Sequence, residues 1–88
     1  GKPALLRSER ASYAKDERIV LRYGDMSDKL AATICYQVKG KGAYQVAKEI
    51  SKAEGVVEID GLASGEYSFY VCLDGQPISP ACNVKVER

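Results

Sequence analysis

The run Glu58-Ile59-Asp60-Gly61-Leu62-Ala63-Ser64-Gly65-Glu66-Tyr67-Ser68-Phe69-Tyr70-Val71 constrains this chain more than any other. An extended segment ends, a leucine and a glycine turn the chain, and a second segment opens with an inward tyrosine. That is the pattern of a β-sandwich corner, where a tyrosine early in a strand bonds back to the loop before it. Leu62, Gly65 and Tyr67 are the candidate corner residues. The pattern specifies an architecture and leaves the partner open.

Period-two alternation recurs along the chain. Ile19, Leu21 and Tyr23 share one face, with Arg18, Val20 and Arg22 on the other. Ala32, Ile34, Tyr36 and Val38 alternate with Thr33, Cys35, Gln37 and Lys39. Val57 and Ile59 lead to the corner. Tyr67, Phe69, Val71 and Leu73 form the next inward row, with Ser68, Tyr70 and Cys72 outward. Asp74-Gly75 is a hairpin turn signal, and Val84 and Val86 mark a closing strand. A weaker strand is expected near Ala4 to Arg7. Pro77 and Pro80 confine their segment to a loop or an edge, because proline cannot donate to the ladder. About seven short strands at this spacing predict an antiparallel β-sandwich.

Two segments admit more than one reading. Ala43 to Ala53 fits a strand through Tyr44, Val46 and Ile50, or a short helix with Val46, Ala47, Ile50 and Ala53 on one face. Ala, Lys and Glu favour the helix intrinsically, and the all-strand surroundings favour the strand. Residues 27–30 fit one helical turn capped by Ser27, or a plain loop.

The 88 residues make one domain, 1–88, since halves would be too small for separate cores. The formal net charge of +1 argues against bulk attraction to nucleic acid or acidic membranes. Residues 1–53 hold 11 Lys/Arg and 6 Asp/Glu (net +5), and residues 54–88 hold 2 and 6 (net −4). Interleaving of the halves in a sandwich should cancel much of this asymmetry. No apolar run reaches the ~20 residues of a membrane span, and no signal-peptide pattern is present. The leading Gly1 resembles the scar of tag cleavage, so the chain is expected to be an excised piece of a longer one.

Histidine is absent, which removes the commonest general base, zinc ligand and triad partner. Cys35, Cys72 and Cys82 have spacings unsuited to structural zinc, which wants four ligands in close pairs. No metal or cofactor is expected. Three thiol arrangements stay open: a Cys72–Cys82 bridge between successive strands, a Cys35–Cys72 bridge, or three small half-buried thiols. The hairpin position makes Cys72–Cys82 the stronger bridge candidate, level with the unpaired arrangement. The carboxylates are scattered singly and read as solvated charges, with Asp25-Met26-Ser27-Asp28 too sparse for a calcium loop. Lys39-Gly40-Lys41-Gly42 lacks the length and ending of a phosphate loop and reads as a hairpin tip. Of six tyrosines, Tyr23, Tyr36 and Tyr67 fall in inward registers, and Tyr13 and Tyr44 near loops or edges. Tyr70 faces outward mid-strand, where an amphipathic ring suits an interface.

The run from Ser12-Tyr13 through Lys15-Asp16-Glu17 into Ile19-Val20-Leu21-Arg22-Tyr23 resembles the opening of immunoglobulin-like and fibronectin type III-like accessory modules. Such modules accompany secreted hydrolases, including calcineurin-like metallophosphoesterases and purple acid phosphatases. Gly55 through Tyr67 resembles their corner, and Ser79 through Val86 resembles their closing strand. The resemblance spans most of the chain and specifies fold better than function. The core tryptophan of these superfamilies is missing, with Ile34 or Tyr36 in its place. The antibody-type Cys…Trp…Cys pattern is absent too. Metal ligands of the hydrolases lie in their catalytic domains, and none carries over to this chain.

The resemblance implies an immunoglobulin/fibronectin III-like module of an exported protein, extracellular or periplasmic, without catalysis of its own. Its expected task is to space, dock or orient a neighbouring domain of the same chain, as a monomer. The alternative is an independent glycan- or protein-recognition module using the face around Tyr70 with Lys39 and Lys41. An exposed apolar-aromatic patch at Tyr70 would speak for recognition, and a featureless charged face for a spacer.

Overall fold

A computed structural model describes residues 3–26 and 31–88, so the turn considered at 27–30 lies outside the described residues. The described residues form strands and turns without a helix. The strands are β1 (Leu5–Ser8), β2 (Ser12–Tyr13), β3 (Ile19–Gly24), β4 (Ala32–Val38), β5 (Lys41–Ile50), β6 (Gly55–Ile59), β7 (Gly65–Leu73), β8 (Gln76–Pro77) and β9 (Cys82–Val86). The segment that admitted helix or strand is β5. Its helix-forming residues yield to pairing with β4, as tertiary context commonly overrides intrinsic propensity.

One sheet has the order β1-β3-β6. The other is six-stranded, in the order β2-β9-β7-β4-β5 with β8 on β7. Their inward side chains make one core, with Ile19, Leu21 and Ile59 from the first sheet and Ile34, Phe69, Val71, Val84 and Val86 from the second. This all-β arrangement is compatible with a β-sandwich. Ile34 is fully buried, while Tyr36 is half-buried and meets the rings of Tyr67 and Phe69 at 5.7 and 5.8 Å.

The described residues form nine strands where about seven antiparallel ones were expected. The extra ones are the two-residue β2 and β8. β2 also runs parallel to β9, which corrects the wholly antiparallel expectation. After β1 the chain leaves the first sheet and joins the second, where Ala11 and Tyr13 carbonyls accept the Lys85 and Glu87 amides at 2.9 and 2.7 Å. β8 is short because Pro77 has no N–H to extend a ladder. Beyond it, the Val71 amide donates to Ser79 Oγ at 2.8 Å, so a side chain replaces the missing strand partner.

Tyr13, read from the sequence as a loop or edge residue, is only 1% exposed. Its hydroxyl accepts from the Val20 and Arg10 amides at 3.3 and 3.2 Å and shares a 2.8 Å bond with Ser8 Oγ. It therefore ties the β1–β2 crossing to β3. The following turn is held by Glu17, which accepts the Ala14 amide at 2.6 Å and pairs with Arg10. Those two contacts, the Arg10 bond foremost, hold the Glu17 carboxyl below the ordinary carboxylate range. Arg18 reaches Glu58 at 3.3 Å and Asp60 at 3.7 Å, so the basic and acidic halves do meet across β3 and β6.

At the corner, the Tyr67 hydroxyl donates to the Ala63 carbonyl at 2.5 Å. Leu62 packs against the core, and Gly65 opens β7 beneath the Tyr67 ring. Tyr67→Phe should lower the unfolding free energy by about 1–2 kcal/mol, because the Ala63 carbonyl loses its partner. Burial, and then Tyr36, pushes the Tyr67 phenol above its ordinary 10.0. The folded protein thus holds this proton to higher pH than the unfolded chain does. The resulting stability is fully present below pH 10.0 and is lost as pH rises through the folded value. Urea unfolding in an alkaline series should show that loss in the wild type and a flatter dependence in Tyr67→Phe. Matching curves for the two proteins would remove the corner bond from the account.

Candidate functional site

The outer face of the larger sheet is built by the alternation of its strands. Cys35 on β4 pairs with Val46 of β5 on one side and with Tyr70 of β7 on the other. Directly opposed residues share a face, so Val46, Cys35 and Tyr70 form one outward row. Tyr44, two residues from Val46, joins it and meets Tyr70 edge-on with ring centroids 5.5 Å apart. Val46 is 64% exposed and Tyr44 38%. Tyr44, Val46 and Cys35 border an open groove of about 530 Å³ that Thr33, Cys72 and Asp74 also line.

A disulfide joins Cys35 to Cys72 beneath this face, and Cys82 is free and buried. This corrects the candidate Cys72–Cys82 bridge. The reason is register. After the Asp74-Gly75 turn, β8 takes two residues of pairing and the chain then loops through Ile78 to Ala81. Cys82 arrives opposite Phe69, in the inward row, whereas Cys72 faces outward. Cys35, opposite Tyr70, is the diagonal neighbour of Cys72, with Cα atoms 6.4 Å apart. That separation is within disulfide reach. Both cysteines are 1% exposed although they lie on the outer face, so the bridge is a small apolar layer under the tyrosines. Cys82 packs in the core, and burial pushes its thiol above the ordinary value. Leu73, placed with the inward row by alternation, is only half-buried.

The sequence-derived contact residues do not gather in one place. Tyr70 is half-buried against the Tyr44 ring at the side of the groove and does not itself line it. Lys39 instead lines a second depression of about 440 Å³ with Glu66, Ser68, Asn83 and Lys85. Its backbone amide donates to the Glu66 carbonyl at 2.8 Å. Lys41 is exposed at the start of β5 and does not line the tyrosine groove. Lys39 and Gly40 both have positive φ, 55° and 66°, which makes the β4–β5 connection a tight two-residue hairpin. Sequence reading missed Tyr44 and Val46. Their spacing of two was the available signal, and it competed with a helical pattern over the same residues.

Among the described residues, no group of three or more Cys, Asp or Glu side chains is placed to hold a metal ion. No described helix is long and apolar enough to cross a membrane. Comparison of the chain with protein-family models and with curated proteins finds no match.

Proposed function

We propose that this chain is a non-catalytic β-sandwich module of an exported protein that works by contact, docking a neighbouring domain through the outer face around Tyr70. The observation that carries this reading is the exposed pair Tyr44 and Val46, with half-buried Tyr70 beside them, above the Cys35–Cys72 bridge. The patch speaks against a passive spacer and for recognition by contact, of which docking a neighbouring domain is one form, since surface patches commonly mark partners. Tyrosines also suit such a face, being apolar in body and polar at the tip. The disulfide favours an oxidising compartment. The order β1-β3-β6 opposite β2-β9-β7-β4-β5 supports an immunoglobulin/fibronectin III-like reading of the fold, and the corner bond of Tyr67 supports it further.

Hydroxyl-radical footprinting tests the docking role. In the isolated chain Tyr44 and Val46 should be readily oxidised. In a longer polypeptide that includes the neighbouring domain they should be shielded, with Leu5 and Val56 on the other sheet unchanged. Equal oxidation in both proteins would refute docking through this face. Binding on a glycan array that Tyr44→Ser abolishes would transfer the face to the independent-recognition reading.

A further inference from the structure

The terminal strands of the two sheet orders, among the described residues, are not equivalent. β2 has two residues. β1 has four, and the Ala4 amide just before it is tied to the Ile78 carbonyl at 2.9 Å. β6 has five, with Glu58 held by Arg18 along it. β5 has ten residues, the most of any described strand, and among the described residues it pairs only with β4. Short edges, edge charges and bulges discourage strand addition, whereas an uncharged stretch of edge invites it. Between Lys41 and Lys48 every β5 residue is uncharged, and none is proline.

We infer that β5 is a strand-addition site, at which an extended peptide segment of the partner pairs with residues 43–47 and sets apolar side chains against Tyr44 and Val46. Only an extended backbone supplies the alternating N–H and C=O groups that complete such an edge, with side-chain pockets adding selectivity. The register of β5 against β4 shifts twice, beside Cys35 and beside Tyr36, so the free ladder is short. The groove residues must therefore supply a large share of the binding. Charge orients the segment. Lys39 and Lys41 make one end of β5 cationic, while Lys48 and Glu49 offset each other at the other end. The partner strand is accordingly one with an acidic residue at the end that meets Lys41. This inference rests on the proposed docking face and adds the form that the partner takes.

The test uses the whole 88-residue chain and a synthetic peptide of alternating valine and threonine, about eight residues long, with glutamate at one end. Amide hydrogen exchange of residues 43–47 should slow when the peptide is added. N-methylation of the peptide along one edge should abolish the effect, because the ladder donors are gone. Val46→Lys, at a side chain already in solvent, should leave the melting curve in place and weaken binding about tenfold or more. Peptide binding that shields Tyr44 from oxidation, leaves exchange at 43–47 unchanged and survives N-methylation would overturn strand addition and spare the docking face. Slowing that needs no peptide, grows with protein concentration and accompanies a dimer in sedimentation would give the edge to a second copy. Absence of binding to every peptide form, with Tyr44 equally oxidised in the isolated and longer chains, would overturn both readings.

Discussion

Replacing Cys35 and Cys72 together by alanine should lower the unfolding free energy by about 4 kcal/mol. The bridge closes a loop across a sequence separation of 37, and the unfolded chain regains the freedom of that loop when the link is gone. A domain of this size has roughly 5–10 kcal/mol to lose, so the variant should sit close to its unfolding midpoint on mild warming. Urea unfolding of oxidised wild type and double variant measures the difference directly. A loss under about 1 kcal/mol would mean that the link is absent or that the reduced chain retains the same constraint. A thiol count on denatured, unreduced protein is an independent check. It should find one free thiol, that of Cys82.

Phe69→Ala should be comparably damaging, by about 3–5 kcal/mol. The ring is 0% exposed and central to β7, with Tyr36 opposite on β4 and Cys82 opposite on β9. Tyr36 and Tyr67 lie against it, with ring centroids at 5.8 and 6.3 Å. Removing it leaves a hole between the two sheets that stiff, strand-bound neighbours cannot close. The contrast is Val46→Ala on the outer face of β5, where a side chain 64% exposed has little burial to lose and stability should hold within about 0.5 kcal/mol. A Phe69→Ala loss as small as that of Val46→Ala would show that the core is not where the burial pattern puts it.

Particular residues show where sequence reasoning reached and where it stopped. The inward rows Ile19-Leu21-Tyr23 and Tyr67-Phe69-Val71 were legible because a two-residue period has one structural meaning when turn signals bound it. Asp74-Gly75 was legible for a similar reason, as its φ angles of 51° and 77° are those the dipeptide favours. Tyr13 was not, because its burial depends on β2 crossing to the second sheet and running beside β9, a contact between residues far apart in the chain. Gly55 shows the same dependence. It faces Tyr23 so closely that a Cβ would meet the Tyr23 hydroxyl at 3.0 Å, a constraint set by the pairing of β6 with β3.

The candidate face divides in the same way. Tyr70 could be singled out from the alternation of β7 alone. That Tyr44 and Val46 join it, and that Lys39 does not, depended on β5 being a strand and on the bulged register with β4. The cysteine pairing turned on register too, since a short β8 displaced Cys82 to the level of Phe69.

The order of the amino acids by itself determined that this chain is all-β, where its main strands run, and that Tyr67 stands at a bend, because side-chain alternation and turn chemistry act over a few neighbouring residues. Which cysteines join, which tyrosine is buried at the β2 crossing and which side chains share the outer face were decided only in the folded sheets. Those outcomes depend on the lateral alignment of strands distant in sequence, and local preferences carry no information about that alignment.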